Sequence, residues 1–159
     1  MQLKPSSSQI NYSQGFISLK EGQFEQAISK YTKALEANPN DFDAYYNRGL
    51  AYYNQNKFDE AISDFDNVLE LNPNFALAYY NRGKAYFAKD DFYQAIDNYN
   101  KALELSPDMV DAYKDRAMAY FLKEDYNNSW NDVYKIQSLG FNIDSNFLEK
   151  LKKVSGREK

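Results

Sequence analysis

The hexapeptide Ala44-Tyr45-Tyr46-Asn47-Arg48-Gly49 returns unchanged as Ala78-Tyr79-Tyr80-Asn81-Arg82-Gly83, an offset of 34 residues (44 to 78). No other feature restricts the fold so tightly. The same offset carries Ala61 to Ala95 and Pro73 to Pro107. In the other direction it carries Gly49 to Gly15, Ala61 to Ala27 and Pro73 to Pro39, and forward it takes Tyr79 to Tyr113 and Arg82 to Arg116. A fixed period of this length, with Gly, Ala and Pro in constant phase, marks helical hairpins stacked into a solenoid.

The period divides the chain. Residues 1–7 form a short polar lead-in, and units follow at 8–41, 42–75, 76–109 and 110–141. Helices are predicted from Ile10 to about Glu21 and over Phe24–Ala37, with a turn at Gly22-Gln23 and a stop at Asn38-Pro39-Asn40. Proline ends each second helix because it lacks an N–H and forces the preceding residue out of the helical region. The next units give Phe42–Asn54 and Phe58–Leu71, then Ala76–Ala88 and Phe92–Leu105. The fourth gives Val110–Leu122 and Tyr126–Ser138, but Ala117 replaces the glycine, Ser129 stands at the place of Ala61 and Ala95, and Gly140 is the stop. A capping helix is predicted within 142–155, begun by Asp144 or Ser145, with Phe147, Leu148, Leu151 and Val154 as its apolar stripe. A loose tail, 156–159, ends the chain.

Composition removes whole classes of chemistry. With no Cys and no His, thiol catalysis, disulfides, Cys/His metal sites and imidazole base catalysis are absent. A net charge of −4 argues against nucleic acid as the main partner. Acid pairs such as Asp64/Asp66 and Asp90/Asp91 fall on polar faces and turns, and there is no glycine-rich phosphate loop or nucleophile elbow. The expectation is a protein without catalysis, cofactor or metal. No apolar run approaches the ~18 residues of a membrane span, and Met1 to Ser8 has no apolar signal core. A cytoplasmic location is the default expectation, and a periplasmic one applies if a signal has been removed.

The pattern Tyr45, Gly49, Tyr52, Ala61, Phe65, Pro73, repeated as Tyr79, Gly83, Tyr86, Ala95, Tyr99, Pro107, resembles the tetratricopeptide repeat. The resemblance runs from about Ser8 to Ser138, as three full units and a degenerate fourth. It implies an all-α, right-handed superhelical solenoid of antiparallel helix-turn-helix repeats that works by protein–protein interaction. The small residues Gly15, Gly49, Gly83, Ala61 and Ala95 let two helices approach closely, while Tyr45, Tyr52, Phe65 and their copies fill the space between helices. Arg48 and Asp64, and Arg116 and Asp132, stand 16 apart and are expected to link the helices of a hairpin; the same places hold Gln14 and Lys30, and Arg82 and Asn98.

The resemblance also implies a concave face lined by the first helix of each hairpin. Carried over, it presents Gln9, Tyr12, Phe16, Leu19 and Lys20 from the first unit, and Asp43, Tyr46, Leu50, Tyr53 and Asn54 from the second. Leu77, Tyr80, Lys84, Phe87 and Ala88 come from the third, and Asp111, Lys114, Met118, Phe121 and Leu122 from the fourth. Tyr46, Tyr53, Tyr80 and Phe87 are surplus to packing within a hairpin. Two readings stay open for them: packing between successive repeats, or an aromatic groove for a partner's peptide segment. Asn47 and Asn81 would bond the peptide backbone. Relatives clamp chaperone carboxylates with Lys, Arg and Asn, but Tyr12 and Phe16, and Leu77 and Asn81, stand at clamp positions here, and only Asn47 matches. The alternatives are a secretion-type chaperone, whose relatives carry a longer N-terminal segment than residues 1–7, and a self-assembling structural protein.

Overall fold

The computed structural model describes residues 5–157, and these residues form nine α-helices and no strand. Helices α1 (Ser7–Lys20) and α2 (Phe24–Ala37) make the first hairpin, and α3 (Phe42–Asn54) and α4 (Phe58–Leu71) the second. The third is α5 (Ala76–Ala88) with α6 (Phe92–Leu105), the fourth α7 (Val110–Leu122) with α8 (Tyr126–Ser138), and α9 (Ser145–Ser155) follows. Each helix packs on its hairpin partner, each second helix packs on the first helix of the next hairpin, and the first helices touch in series as α1, α3, α5 and α7. An all-α solenoid results.

Helix starts and turns repeat in phase. Asp41, Asp91, Asp125 and Asp144 accept from the backbone N–H three residues on, satisfying a donor that the first turn leaves free. The tight turn inside each hairpin places one residue in the left-handed region, Gly22 (φ 73°), Asn56 (59°), Asp90 (60°) and Glu124 (61°). The following N–H then reaches back to the carbonyl five residues earlier, as from Gln23 to Ser18 and from Lys57 to Tyr52. Between hairpins, Asn38, Asn72 and Ser106 carry the turn before α3, α5 and α7. After α8, Gly140 (φ 83°) makes the break without a proline.

Three details depart from the sequence reading. Helix α1 starts at Ser7, because the Ser6 hydroxyl and the Gln9 side chain form a reciprocal capping box. The lead-in is correspondingly shorter, and its residues 1–4 lie outside the described residues, as do 158 and 159 of the tail. On α9, Leu151 is fully buried and Phe147 and Leu148 are half-buried, but Val154 is 47% exposed. Beside it the Ser155 hydroxyl accepts from Trp130 Nε1 at 2.9 Å.

The core lies between the two helix layers. Tyr31, Phe65 and Tyr99 on the second helices are buried to within 1%. Tyr45 and Tyr52 are only half-buried and flank Arg48, whose guanidinium carbon lies 5.5 and 5.9 Å from their ring centres. They enclose a cation as well as filling space. Arg48 grips Asp64 through two bonds of 2.8 and 2.7 Å and sends Nη1 to Thr32 on the preceding hairpin. Arg116 repeats this with Asp132 and Asn100, and Arg82 with Asn98 and Asp66. In the first hairpin Lys30 donates to Gln14. The expected links are therefore present, and each arginine also ties two hairpins together. Burial pushes the Asp64 and Asp132 carboxyls up, and the arginine bonds oppose that shift.

Candidate functional site

The series α1, α3, α5, α7 carries three polar rungs that cross from one hairpin to the next. Asn47 Nδ2 donates to the Tyr12 hydroxyl at 3.2 Å, and Asn81 Nδ2 donates to the Tyr46 hydroxyl at 3.0 Å. At the third rung Asp115 replaces asparagine, so the direction reverses and the Tyr80 hydroxyl donates to Oδ2 at 2.9 Å. Each rung spans 35 residues, one period plus one. The second donors of Asn47 and Asn81 go to the carbonyls of Asp43 and Leu77, one helical turn back. Both N–H groups of each amide are thus engaged, which leaves only Oδ1 to accept from a ligand.

The rings of this face also pack within their own hairpins. Tyr12 meets Tyr31, Tyr46 meets Phe65, and Tyr80 meets Tyr99, at centroid distances of 5.7, 6.0 and 6.0 Å. Tyr53 and Phe87 pack at the hairpin turns against Phe58 and Phe92. The expectation that Tyr46, Tyr53, Tyr80 and Phe87 are surplus to hairpin packing is therefore corrected: an aromatic second helix lies close beneath them. They are half-buried, held from below by the hairpin and, for Tyr46 and Tyr80, from the side by the next rung.

Burial raises the Tyr46 hydroxyl above the usual tyrosine range, and burial with the neighbouring Asp115 charge raises Tyr80. Burial also raises the Asp115 carboxyl, against the Tyr80 bond and the Lys84 charge. The rung proton therefore stays on Tyr80. Lys84 Nζ lies 5.1 Å from the Tyr53 ring centre and 5.6 Å from that of Tyr80, placing a cation across two aromatic faces in mid-groove.

The predicted site residues fall into groups. Phe16, Lys20, Asn47 and Leu50 line a cavity of about 460 Å³ near the first hairpin, with Lys20 Nζ 5.4 Å from the Phe16 ring centre. Phe87, Lys114 and Met118 line another of about 460 Å³ near the last, closed by Asp115, Ile143, Asp144 and Phe147. Tyr53, Tyr80, Asn81 and Lys84 lie between them. Tyr12 faces a separate polar cavity of about 630 Å³ with Asp41 and Asp43, and Leu77 is 43% exposed. Phe121 stacks edge-on against Phe147 and belongs to the cluster that seats α9. Sequence reading missed Asp115 and the wall from Ile143 to Phe147. Asp115 was within reach, being one period beyond Asn81.

These features define an all-α solenoid of helical hairpins with an aromatic face along its first helices. The model of the tetratricopeptide-repeat family matches residues 42–75 and 76–109, and a second repeat model of that family matches residues 15–56. The chain belongs to the tetratricopeptide-repeat family. It is similar to the solution structure of the first such domain of human RPAP3, with 31% identity over 77% of this chain and 98% of that chain and a TM-score of 0.70. A structure described as the first such domain of Spaghetti (RPAP3) bound to the HSP90 peptide SRMEEVD is 28% identical, covering 78% and 98% of the two chains at a TM-score of 0.73. The crystal structure of MamA protein shares the fold, with 24% identity over 95% of this chain and 84% of that one and a TM-score of 0.84. No curated protein matches in sequence. Helical repeats of this family are protein–protein interaction scaffolds. No described helix is long and apolar enough to cross a membrane.

Proposed function

We propose that the concave face holds a segment of a partner protein, chiefly by burying the partner's apolar side chains. The observation that carries this reading is the pre-organisation of the rings. Tyr46 and Tyr80 are fixed by a ring beneath and a hydrogen bond beside, yet are only half-buried and keep part of their surface open to solvent. A fixed ring has little freedom left to lose on contact, so more of the burial energy appears as affinity. The cavities beside Phe16 and Leu50, and beside Phe87 and Met118, would take side chains at either end of the segment. The peptide-bound relative, 28% identical, supports peptide capture by this architecture.

Because Tyr46 and Tyr80 are also packing residues, their removal would confound binding with stability. The more exposed Phe16 and Leu77, together with Met118, make the better test. Peptides selected from a random library against the wild type are expected to be rich in aromatic and aliphatic residues. The triple variant Phe16→Ser, Leu77→Ser, Met118→Ser is expected to keep its helicity and to bind them at least roughly fivefold more weakly, about 1 kcal/mol. Unchanged binding by a folded triple variant would overturn the reading.

A further inference from the structure

Of the carboxylates that are not fully exposed among the described residues, Asp41 and Asp125 cap helices, and Asp64 and Asp132 each hold an arginine. Asp115 does neither. It sits half-buried in the middle of α7, where Oδ2 accepts from the Tyr80 hydroxyl and Oδ1 accepts nothing from the described residues. No lysine or arginine among them forms an ion pair with it. Lys84 rests on the Tyr53 and Tyr80 rings, and Lys114 pairs with Asp111.

The rung itself does not call for this charge. Two periods and one period earlier, Asn47 and Asn81 make the same bridge, to Tyr12 and Tyr46, with a neutral amide. A carboxylate drawn partly out of water without a cation is costly. An aspartate where the chain otherwise uses asparagine therefore points to a cation from outside.

The surroundings say what kind. Asp115 belongs to the wall of the cavity of about 460 Å³ that Phe87, Met118, Ile143 and Phe147 make largely apolar. A metal ion has no ligand set here, since no group of three acids that could hold one occurs among the described residues. A long basic side chain fits both halves of the cavity. Its methylenes lie along Met118 and the rings, and its charged head reaches Oδ1; a guanidinium can also lie on an aromatic face. Asp144, whose Oδ1 caps α9, lines the same cavity and adds negative charge.

We propose, resting on the peptide-holding role above, that Asp115 selects an arginine or lysine of the partner segment, seated in this cavity with its charged head on Oδ1. The segment thereby gains a direction. The cavity beside Phe16 and Leu50, at the other end, has Lys20 and no carboxylate in its wall.

Random peptides displayed on phage, selected in parallel on three forms of the full chain, test this. The forms are the wild type, Asp115→Asn, and Asp97→Asn, an exposed position on α6 where the same unit of charge is lost. Asp115→Asn is expected to keep its helicity and melting temperature, because asparagine supports the rung at two other places. The wild type and Asp97→Asn are expected to enrich arginine or lysine at one fixed distance from the apolar anchors. Asp115→Asn is expected to lose that preference and keep the anchors. In synthetic copies of the selected peptides, glutamine for the basic residue should weaken binding to the wild type by about tenfold, and to Asp115→Asn by less than about twofold. Apolar peptides without a basic preference on the wild type would overturn the proposal and leave the peptide-holding role standing, whereas a wild type that selects no peptide would overturn both. A basic preference that survives Asp115→Asn, or that Asp97→Asn also abolishes, would assign it to charge elsewhere and overturn the proposal. Equal binding of the basic and glutamine peptides by the wild type overturns it without recourse to any variant.

Discussion

A methyl group on Gly49 would stand 2.8 Å from the Phe65 ring, on Gly83 2.7 Å from Tyr99, and on Gly15 3.0 Å from Tyr31. These glycines are required because a ring on the second helix lies flat against the first. The fourth hairpin shows the converse solution. Ala117 takes the glycine's place where Val133, fully buried, takes the ring's. Gly49→Ala should gain about 1 kcal/mol of helix propensity and lose about 1–3 kcal/mol to overpacking. A net loss of up to ~2 kcal/mol is expected. Combined with Phe65→Val, the loss should fall short of the two single effects together by at least ~0.5 kcal/mol, since the valine makes room for the methyl. Urea unfolding of the two single variants and the double variant measures this, and strict additivity would contradict the pairing. Both pairs, Gly with ring and Ala with Val, could have been seen in the sequence as a change at two places 16 apart. Which of many rings is core could not. Period alone does not separate Tyr45, which flanks an arginine, from Phe65, which is sealed.

Among the helices, the arginine links set how firmly each hairpin closes. Asp64 is 3% exposed and receives two bonds from Arg48, so removing it leaves the guanidinium without its counter-charge, with one hydrogen bond to Thr32 between the Tyr45 and Tyr52 rings. Asp64→Ala is expected to cost about 3–5 kcal/mol, the usual cost of breaking a buried pair. The third hairpin already holds the neutral version, Arg82 Nε to Asn98 Oδ1 at 2.7 Å. Asp64→Asn should therefore keep one bond and cost only about 1 kcal/mol. Equal losses for the two variants, read from denaturation midpoints, would show that the charge and not the bond matters. The helix bounds and these links were legible because phase and charge change together along the chain. The start of α1 was not, since a run of serines reads as loop until Gln9 is seen to close the cap on Ser6. The rungs escaped for another reason. They join helices of different hairpins, and only their arrangement in space shows that a tyrosine hydroxyl faces an amide 35 residues later.

For the whole molecule, the shifted carboxyls act in one direction. Burial, as the largest cause, raises Asp43, Asp64, Asp115 and Asp132 above 3.8. A folded state with raised values binds protons more readily than the unfolded chain. The stability these groups contribute is then complete below the unfolded-chain value and is lost as pH rises through the folded values. Acidification from neutral pH towards 5 also reduces the net charge of −4. The urea midpoint at pH 5 is accordingly expected to lie above that at pH 7, measured in dilute solution. A lower midpoint at pH 5 would show that the arginine bonds outweigh burial at Asp64 and Asp132.

The first two rungs have a consequence for how such a chain can change length. Tyr12 with Asn47 and Tyr46 with Asn81 are the same fitting made twice, and Thr32 and Asp66 both present oxygen to the incoming arginine. Excising one whole 34-residue unit, residues 42–75, would bring Tyr12 to Asn81 and Thr32 to Arg82, pairings whose chemistry the chain already uses. The junctions repeat as interchangeable couplings, so the stack of first helices can be shortened or extended in whole hairpins while each joint stays as it was.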